Sequence, residues 1–106
     1  MPKFKILPSP KDKWIYRLYG SDGTVWLNGT KHEIKQACHG EILSVRINAV
    51  YLENFEIRTS PSQDYFFILR SMGNQNVIGV SEMYSQRDTC EKIIDQIRKS
   101  IEFAEI

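Results

Sequence analysis

The fold is decided by the segment Tyr-Phe-Phe-Ile-Leu at residues 65–69, which repeats the apolar pattern of Trp-Ile-Tyr-Arg-Leu at residues 14–18. The two segments lie 51 positions apart (65 − 14), and the same offset relates Phe-Glu-Ile at residues 55–57 to Phe-Lys-Ile at residues 4–6. One residue is inserted after the next turn, so that Cys38 overlies Cys90 at an offset of 52 (90 − 38). An internal repeat therefore organises the whole chain.

We interpret the chain as two tandem units, residues 1–53 and 54–106, that belong to one structural domain. A unit of about fifty residues seldom buries enough apolar surface to fold alone. The two units are therefore expected to share a core about a pseudo-twofold axis. A monomer is expected, because the second unit supplies what a second subunit would otherwise provide.

Each unit has the pattern of three strands followed by a helix. Aromatic and β-branched runs separated by turn residues predict the strands, and Asp-Gly at residues 22–23 is typical of a hairpin. Cys90, Ile94 and Ile97 recur at helical spacing and predict an amphipathic helix; in the first unit we start the equivalent apolar stripe at Ile34. Thr30 with Glu33, and Ser85 with Asp88, resemble capping boxes at the two helix starts. Short apolar stretches at 49–52 and 101–106 are predicted to form a closing strand for each unit.

Composition and charge exclude several classes of protein. The chain has 106 residues, of which 42% are hydrophobic and 25% charged, and its net charge is +1. These values are ordinary for a folded domain and too apolar for a disordered one. No apolar run approaches the length of about 18 residues that a membrane span needs, and the N-terminus has no signal-peptide pattern.

The second unit resembles the YegP-like family, a domain of unknown function that often occurs as a tandem repeat. The resemblance is carried by residues 55–57 and 65–69, by Val-Ile-Gly-Val-Ser-Glu-Met-Tyr at residues 77–84, and by the helix at residues 90–98. The first unit is a fainter match, carried mainly by Leu-Tyr-Gly-Ser-Asp-Gly-Thr-Val at residues 18–25.

This resemblance implies an α+β fold of two β-β-β-α-β units. They would build one antiparallel sheet with two helices on one face, and the C-terminal strands would be exchanged between the units. The resemblance implies no catalytic residue and no cofactor. The first unit departs from the second before its helix, where His32 stands in the place of Tyr84.

Side chains that carry chemistry are not grouped in the sequence. His32 and His39 share a helix face, but seven residues separate them by about 10 Å along a helix, and one ion with bonds of about 2 Å cannot span that distance. Glu33 and Glu41 are assigned to a solvated helix face. We therefore expect solvent-facing histidines, no metal, no cofactor and no catalysis.

The two cysteines fall at equivalent positions on apolar stripes. We expect Cys38 and Cys90 to be buried free thiols that pack as small hydrophobic side chains. Two cysteines without a secretion signal favour a reducing compartment, and we expect a cytoplasmic protein. The sequence does not decide whether the two thiols are close enough to interact.

The open face of the sheet is the candidate binding surface. In strands, alternate side chains point to opposite faces. If the helices cover one face, Ile15, Phe66 and Ile68 stay on the other, with Arg17 and Arg70 beside them. Such a patch predicts a non-enzymatic binding module that contacts a protein partner. The alternative is that a terminal strand or the twist of the sheet covers these side chains.

Nucleic-acid binding is the second candidate function, because arginines interleave with aromatic side chains that could stack on bases. Lys11, Lys13, Arg17 and Arg70 are the basic residues that would contact the phosphates. The first unit has eight Lys/Arg and five Asp/Glu (+3), and the second has six and eight (−2). This asymmetry favours steering of a protein partner over a general nucleic-acid groove.

Overall fold

The computed structural model describes residues 1–106 and contains six strands and two long helices. Their bounds are β1 (Lys3–Ser9), β2 (Lys13–Tyr19), β3 (Val25–Asn28), α1 (Lys35–Asn48), β4 (Phe55–Thr59), β5 (Tyr65–Arg70), β6 (Val77–Val80) and α2 (Arg87–Ser100). Short 3₁₀ turns follow each helix, at Leu52–Asn54 and Ile101–Phe103.

The strands form one antiparallel sheet in the order β1-β2-β3-β6-β5-β4. β3 and β6 meet at the centre, where Asn28 pairs with Val80. Side chains from both helices and from the strands join one hydrophobic core, so both helices lie on the same face of the sheet. The α+β prediction with one sheet and two helices is confirmed.

The same local features occur in both halves of the chain. The rings of Phe4 and Tyr16 meet edge-on with centroids 5.8 Å apart, and those of Phe55 and Phe67 repeat this distance. An isolated β-bridge joins Trp14 to His32, which precedes α1. An equivalent β-bridge joins Tyr65 to Tyr84, which precedes α2.

A β-bulge shapes the short central strand of each half. Leu27 of β3 pairs with Leu18, and Val25 pairs with Tyr19. Because Leu18 and Tyr19 are adjacent, Trp26 is the extra residue in β3. β6 has the same irregularity in its pairing with β5. Trp26 and Leu27 both lie in the core, although neighbours in a regular strand point to opposite faces. The bulges therefore add large side chains to the shared core.

The predicted closing strands were wrong. Residues 49–54 form a turn and a 3₁₀ helix that leads directly into β4. Residues 101–106 form a second 3₁₀ helix, followed by a single parallel bridge between Glu105 and Lys3. Each half is therefore β-β-β-α, and the segment after α2 reaches β1 of the other half through this single bridge and not as a full exchanged strand. The first segment has no length left for a strand, because Phe55 of β4 already donates its N–H to Leu52.

The predicted helix starts were also wrong. α1 begins after Ile34, which is 60% exposed and does not belong to the buried stripe. Neither helix has a side-chain hydrogen bond at its N-cap. Thr30 does not cap the helix, because its hydroxyl donates to Glu41 instead. Neither helix is long and apolar enough to cross a bilayer.

Candidate functional site

The residues predicted to bind a partner lie on the sheet face that points away from the helices. A row of directly paired residues crosses this open sheet face from edge to edge: Lys5, Arg17, Asn28, Val80, Ile68 and Glu56. Ile15, Phe66 and Arg70 occupy the same face and are half-buried. None of the predicted residues belongs to the main core. The structure therefore brings the predicted set to one surface.

Ile68 does not remain open on this surface. It is 3% exposed, although no helix packs on this face. Val80 and Glu56 lie directly across from it on the two neighbouring strands, and Phe66 and Arg70 flank it along β5. The predicted contiguous apolar patch is therefore interrupted at its centre by the side chains around Ile68.

Three of the four predicted nucleic-acid contacts are engaged with acceptors of the protein itself, and the fourth, Lys11, is exposed. Arg17 donates through Nε to Oδ1 of Asn28 at 2.8 Å, and Lys13 forms an ion pair with Glu33. Arg70 lies 3.6 Å from Glu56 and also donates to the carbonyl of Gln75 at 2.9 Å. A phosphate contact at these side chains would compete with existing hydrogen bonds.

A buried polar cluster lies where the sequence analysis expected a solvated face. Glu41 accepts hydrogen bonds from the backbone N–H of Thr30 at 2.9 Å and from its hydroxyl at 2.6 Å. His32 Nε2 lies 3.2 Å from Glu41 Oε1, and the Glu41 side chain is only 8% exposed. One sequence signal indicated this burial: Glu41 overlies Ile93, a buried position of α2.

This cluster fastens the segment before α1 to the helix. His32 is half-buried against it, so the expectation of a solvent-facing histidine was wrong at this position, whereas His39 is exposed. The carboxylate of Glu41 also raises the pKa of the nearby Tyr16 phenol, after a larger effect of burial. No three His, Cys, Asp or Glu side chains of the chain are grouped so that they could hold a metal ion.

Both cysteines are free and fully buried, as predicted. Burial raises the pKa of each thiol. The carboxylate of Glu41 raises the pKa of Cys38 further, whereas at Cys90 the lowering effect of Arg87 opposes burial and a smaller raising effect of Glu91. Because a nucleophilic cysteine requires an accessible thiolate, these side chains act as parts of the core.

The sequence analysis missed an exposed apolar surface on α1. Leu43 and Ile47 are 58% and 68% exposed, and Val50 follows them beyond the helix end. We call these three residues the α1 face. The equivalent positions of α2 hold Asp95 and Lys99, which form an ion pair at 2.9 Å. Comparison of the two helices at the offset of 52 was the signal that could have identified this surface.

A cleft lies between α2 and the edge strand β4, and we call it the β4–α2 cleft. Its volume is about 410 Å³. Its apolar lining consists of Leu52, Phe55, Ile57 and Ile94. Arg87, Glu91, Asp95 and Arg98 form its charged lining. Volumes of this size fall in the range of small-ligand pockets.

Comparisons with known proteins agree with this architecture. A family model described as a domain of unknown function (DUF1508) matches residues 62–106. A UPF0339 protein of Photorhabdus laumondii is 33% identical over 82% of this chain and 75% of its own length. The UPF0339 protein YegP of Escherichia coli K12 is 25% identical over 90% of this chain and 86% of its own length.

Two solved structures have the same fold. The solution NMR structure of a UPF0339 protein from Shewanella oneidensis matches with a TM-score of 0.84 at 21% identity, over 92% of this chain and 82% of the other. That of YegP from E. coli matches with a TM-score of 0.85 at 24% identity, over 94% and 85%. These likenesses support the α+β architecture and carry no information about activity.

Proposed function

Because the chain belongs to the UPF0339 family, whose matching domain is described as one of unknown function, we propose its role from its surfaces: it is a small, non-enzymatic module that binds a protein partner. The α1 face is the contact surface. The observation that carries this proposal is that Leu43 and Ile47 are exposed where α2 carries the ion-paired Asp95 and Lys99. Contiguous exposed apolar side chains are typical of protein contact surfaces.

The partner contributes an amphipathic segment with carboxylates beside its apolar side chains. Glu41 is the only carboxylate of α1, and its side chain is buried against Thr30. Lys35 and His39 are exposed on the same helix. The α1 face is therefore an apolar strip without exposed acids, on the half of the chain that carries the excess of basic residues. Charge complementarity of this kind favours an acidic partner.

The open sheet face is the second surface in this proposal. Ile15 and Phe66 are half-buried there and lie beside Arg17 and Arg70. It is the weaker candidate, because Ile68 at its centre is 3% exposed and offers little area to a partner. Nucleic-acid binding through Arg17 and Arg70 is the alternative, and it would require them to leave Asn28 and Glu56.

The proposal includes a monomer in the cytoplasm that contains a duplicated unit and needs no cofactor. The free buried cysteines support a reducing compartment. The repeated aromatic geometry of Phe4 with Tyr16 and of Phe55 with Phe67 supports the duplication, with units at residues 1–53 and 54–106.

Site-specific photo-crosslinking in the native host tests this proposal. A photoreactive amino acid is placed at position 47, at the equivalent position 99 of α2 as the matched control outside the lining of the β4–α2 cleft, and at position 66 on the open sheet face. We expect a discrete protein adduct from position 47, whose crosslinked peptide is amphipathic and acidic, and none from position 99. No adduct at position 47, or equal adducts at positions 47 and 99, would refute the α1 face. An RNA or DNA adduct at position 66 would favour the alternative.

The double substitution Leu43→Asp with Ile47→Lys places on α1 the ion pair that Asp95 and Lys99 form on α2. We expect partner affinity to fall by tenfold or more, because burial of each aliphatic side chain contributes about 1.5–3 kcal/mol. The control exchanges the signs of the α2 pair, Asp95→Lys with Lys99→Asp, and is expected to leave affinity unchanged. Folding of each variant is checked by its urea midpoint.

A further inference from the structure

The segments that follow the two helices cross to opposite halves of the molecule. After α1, the carbonyl of Val50 accepts a hydrogen bond from Nε of Arg98 on α2, at 3.2 Å. After α2, the carbonyl of Ala104 accepts one from the guanidinium of Arg46 on α1. Arg46 and Arg98 occupy equivalent positions at the offset of 52. Each guanidinium therefore holds the backbone of the segment that follows the other helix.

The C-terminal tail, residues 101–106, lies against the edge of β1. The N–H of Phe4 donates to the carbonyl of Glu105 at 2.7 Å, and the N–H of Glu105 donates to the carbonyl of Pro2 at 3.0 Å. Ala104 is buried, and the guanidinium of Arg46 is 5.6 Å from the Phe4 ring. The N-terminal half thus accepts a short extended stretch, residues 104–106, beside its edge strand, with one small residue buried and one carbonyl bound by arginine.

The β4–α2 cleft is the counterpart of this arrangement in the C-terminal half. Its lining residues Phe55, Ile57, Ile94 and Arg98 are equivalent to Phe4, Ile6, Ile42 and Arg46. The segment after α1 cannot lie along β4 as the tail lies along β1, because it continues directly into that strand. The C-terminal half therefore has the apolar residues and the arginine that hold the tail in the N-terminal half, but here they line an open cleft of about 410 Å³.

The exposed edge of β4 offers backbone groups to a bound chain. β4 is a terminal strand of the sheet. Phe55 has its N–H bonded to Leu52, but Ile57, two residues along, presents its N–H and carbonyl to the same outer edge. Unpaired strand edges of this kind are templates for an added strand.

We infer that the β4–α2 cleft binds an extended peptide segment of another protein, which lies along β4 as the tail lies along β1. A small side chain of the peptide packs beside Phe55, and one of its carbonyls accepts a hydrogen bond from a terminal nitrogen of Arg98, whose Nε stays bonded to the carbonyl of Val50. The peptide pairs with the edge of β4 at Ile57, two residues beyond the equivalent of the tail's contact at Phe4, because the N–H of Phe55 is already bonded to Leu52. This mode is strand addition, in which backbone hydrogen bonds give affinity and side-chain pockets give specificity. The inference goes beyond the α1 face, since it concerns a different surface and a different partner conformation.

NMR titration of the full-length chain tests the inference. The probe is the acetylated peptide Ile-Glu-Phe-Ala-Glu-Ile, which copies residues 101–106. We expect saturable shift changes at the amide of Ile57, the methyl groups of Ile94 and Nε of Arg98. A second peptide with proline in place of the last glutamate lacks the backbone N–H that Glu105 donates to Pro2 in the tail, cannot adopt the tail's pairing, and is expected not to bind.

Arg98→Gln is expected to weaken binding of the probe about tenfold, because a hydrogen bond to a charged group is lost. Lys99→Gln, on the next residue of α2, is the matched control and is expected to leave affinity unchanged. If Arg98→Gln fails to fold, Ile57→Asn replaces it, since Ile57 is a half-buried residue of the cleft floor.

Two results would overturn the inference. Shift changes confined to Lys3, Phe4 and Arg46 would mean that the probe displaces the chain's own tail and leaves the β4–α2 cleft unoccupied. Absence of any change at the cleft up to the solubility limit of the probe would mean that the cleft takes no extended peptide. Neither result affects the α1 face, whose test uses positions 43, 47, 95 and 99.

Discussion

The N-terminal half holds itself together with polar side chains at positions where the C-terminal half uses apolar ones. Tyr16 overlies Phe67, and its hydroxyl donates to the carbonyl of Ile78 in the other half at 2.6 Å. Glu41 overlies Ile93 and binds Thr30. Both halves have the same order of three strands and a helix, so the difference teaches that one β-β-β-α frame accepts two kinds of interior contact.

The two halves also differ where they meet. Leu27 overlies Gly79, and a Cβ at position 79 would lie 2.6 Å from Cγ of Leu27. One half therefore supplies a large side chain, and the other supplies the space for it. Neither half could be replaced by a copy of its partner, because two leucines or two glycines at these positions would overpack the junction or leave it empty.

Among the substitutions that test this difference between the halves, Gly79→Ala is expected to have the largest effect on stability. The added Cβ would lie within 2.8 Å of both Leu27 and the Tyr16 hydroxyl. We expect the free energy of unfolding to fall by about 2–3 kcal/mol, from overpacking. Urea denaturation measures the loss. Gly73→Ala is the control, because a Cβ there meets nothing within 4 Å.

A double-mutant cycle separates this overpacking from a general effect of alanine. Leu27→Ala with Gly79→Ala is expected to cost less than the two single changes added together, since the smaller side chain makes room for the new Cβ. Strict additivity would show that the close approach of positions 27 and 79 is not what excludes a side chain from the junction.

Glu41→Ile transfers the residue of the C-terminal half to the N-terminal half. We expect a loss of about 2 kcal/mol, because the half-buried donors of Thr30 lose their acceptor. His39→Ala on the exposed side of the same helix is the control, expected within about 0.5 kcal/mol of wild type. Equal stability of Glu41→Ile and wild type would show that the polar cluster is dispensable and that the two halves tolerate the same interior.

Tyr16→Phe is expected to have the smallest effect on stability, since it removes only the hydroxyl group and leaves the side chain that the equivalent residue Phe67 has. At neutral pH we expect a loss of about 1 kcal/mol, from the hydrogen bond to Ile78. Thermal or urea unfolding at pH 7 measures this loss. Phe67→Tyr is the reciprocal variant.

The same variant predicts a pH dependence. Burial, and after it the charge of Glu41, raises the pKa of Tyr16 well above its ordinary value of 10.0. The unfolded phenol loses its proton near pH 10, whereas folded Tyr16 keeps it. Its contribution to stability is therefore complete below pH 10 and is lost as the pH rises toward the higher folded-state pKa. Tyr16→Phe should lose stability less steeply above pH 10, and equal slopes would contradict this assignment.

Much of the fold could be predicted from the sequence because its signals are local. The alternation in β2 and β5, the helical spacing of Cys90, Ile94 and Ile97, and the offset between the halves all depend on residues that are near in the chain. The closing strands could not be predicted in this way. The apolar stretches at 49–52 and 101–106 look alike, but one continues into β4 and the other ends beside β1.

The candidate site was harder to predict than the fold. The residues of the open sheet face were assigned correctly to one surface, because alternation is a property of each strand. The burial of Ile68 was missed, because it depends on Val80 and Glu56 of neighbouring strands. The exposure of Leu43 and Ile47 was missed because an apolar residue on a helix is ordinarily expected to face the core.

The sequence by itself determined the duplicated pattern, the α+β class, the succession of three strands and one helix in each half, and the burial of both cysteines. Only the tertiary structure decided which helix face stays exposed, where Glu41 finds its hydrogen-bond donors, and that the tail covers the edge of β1 while a cleft opens beside β4. The physical reason is the distance along the chain between the residues that interact. Periodicity is a property of neighbours in the chain, whereas burial and pairing between elements depend on residues that only the packed fold brings together.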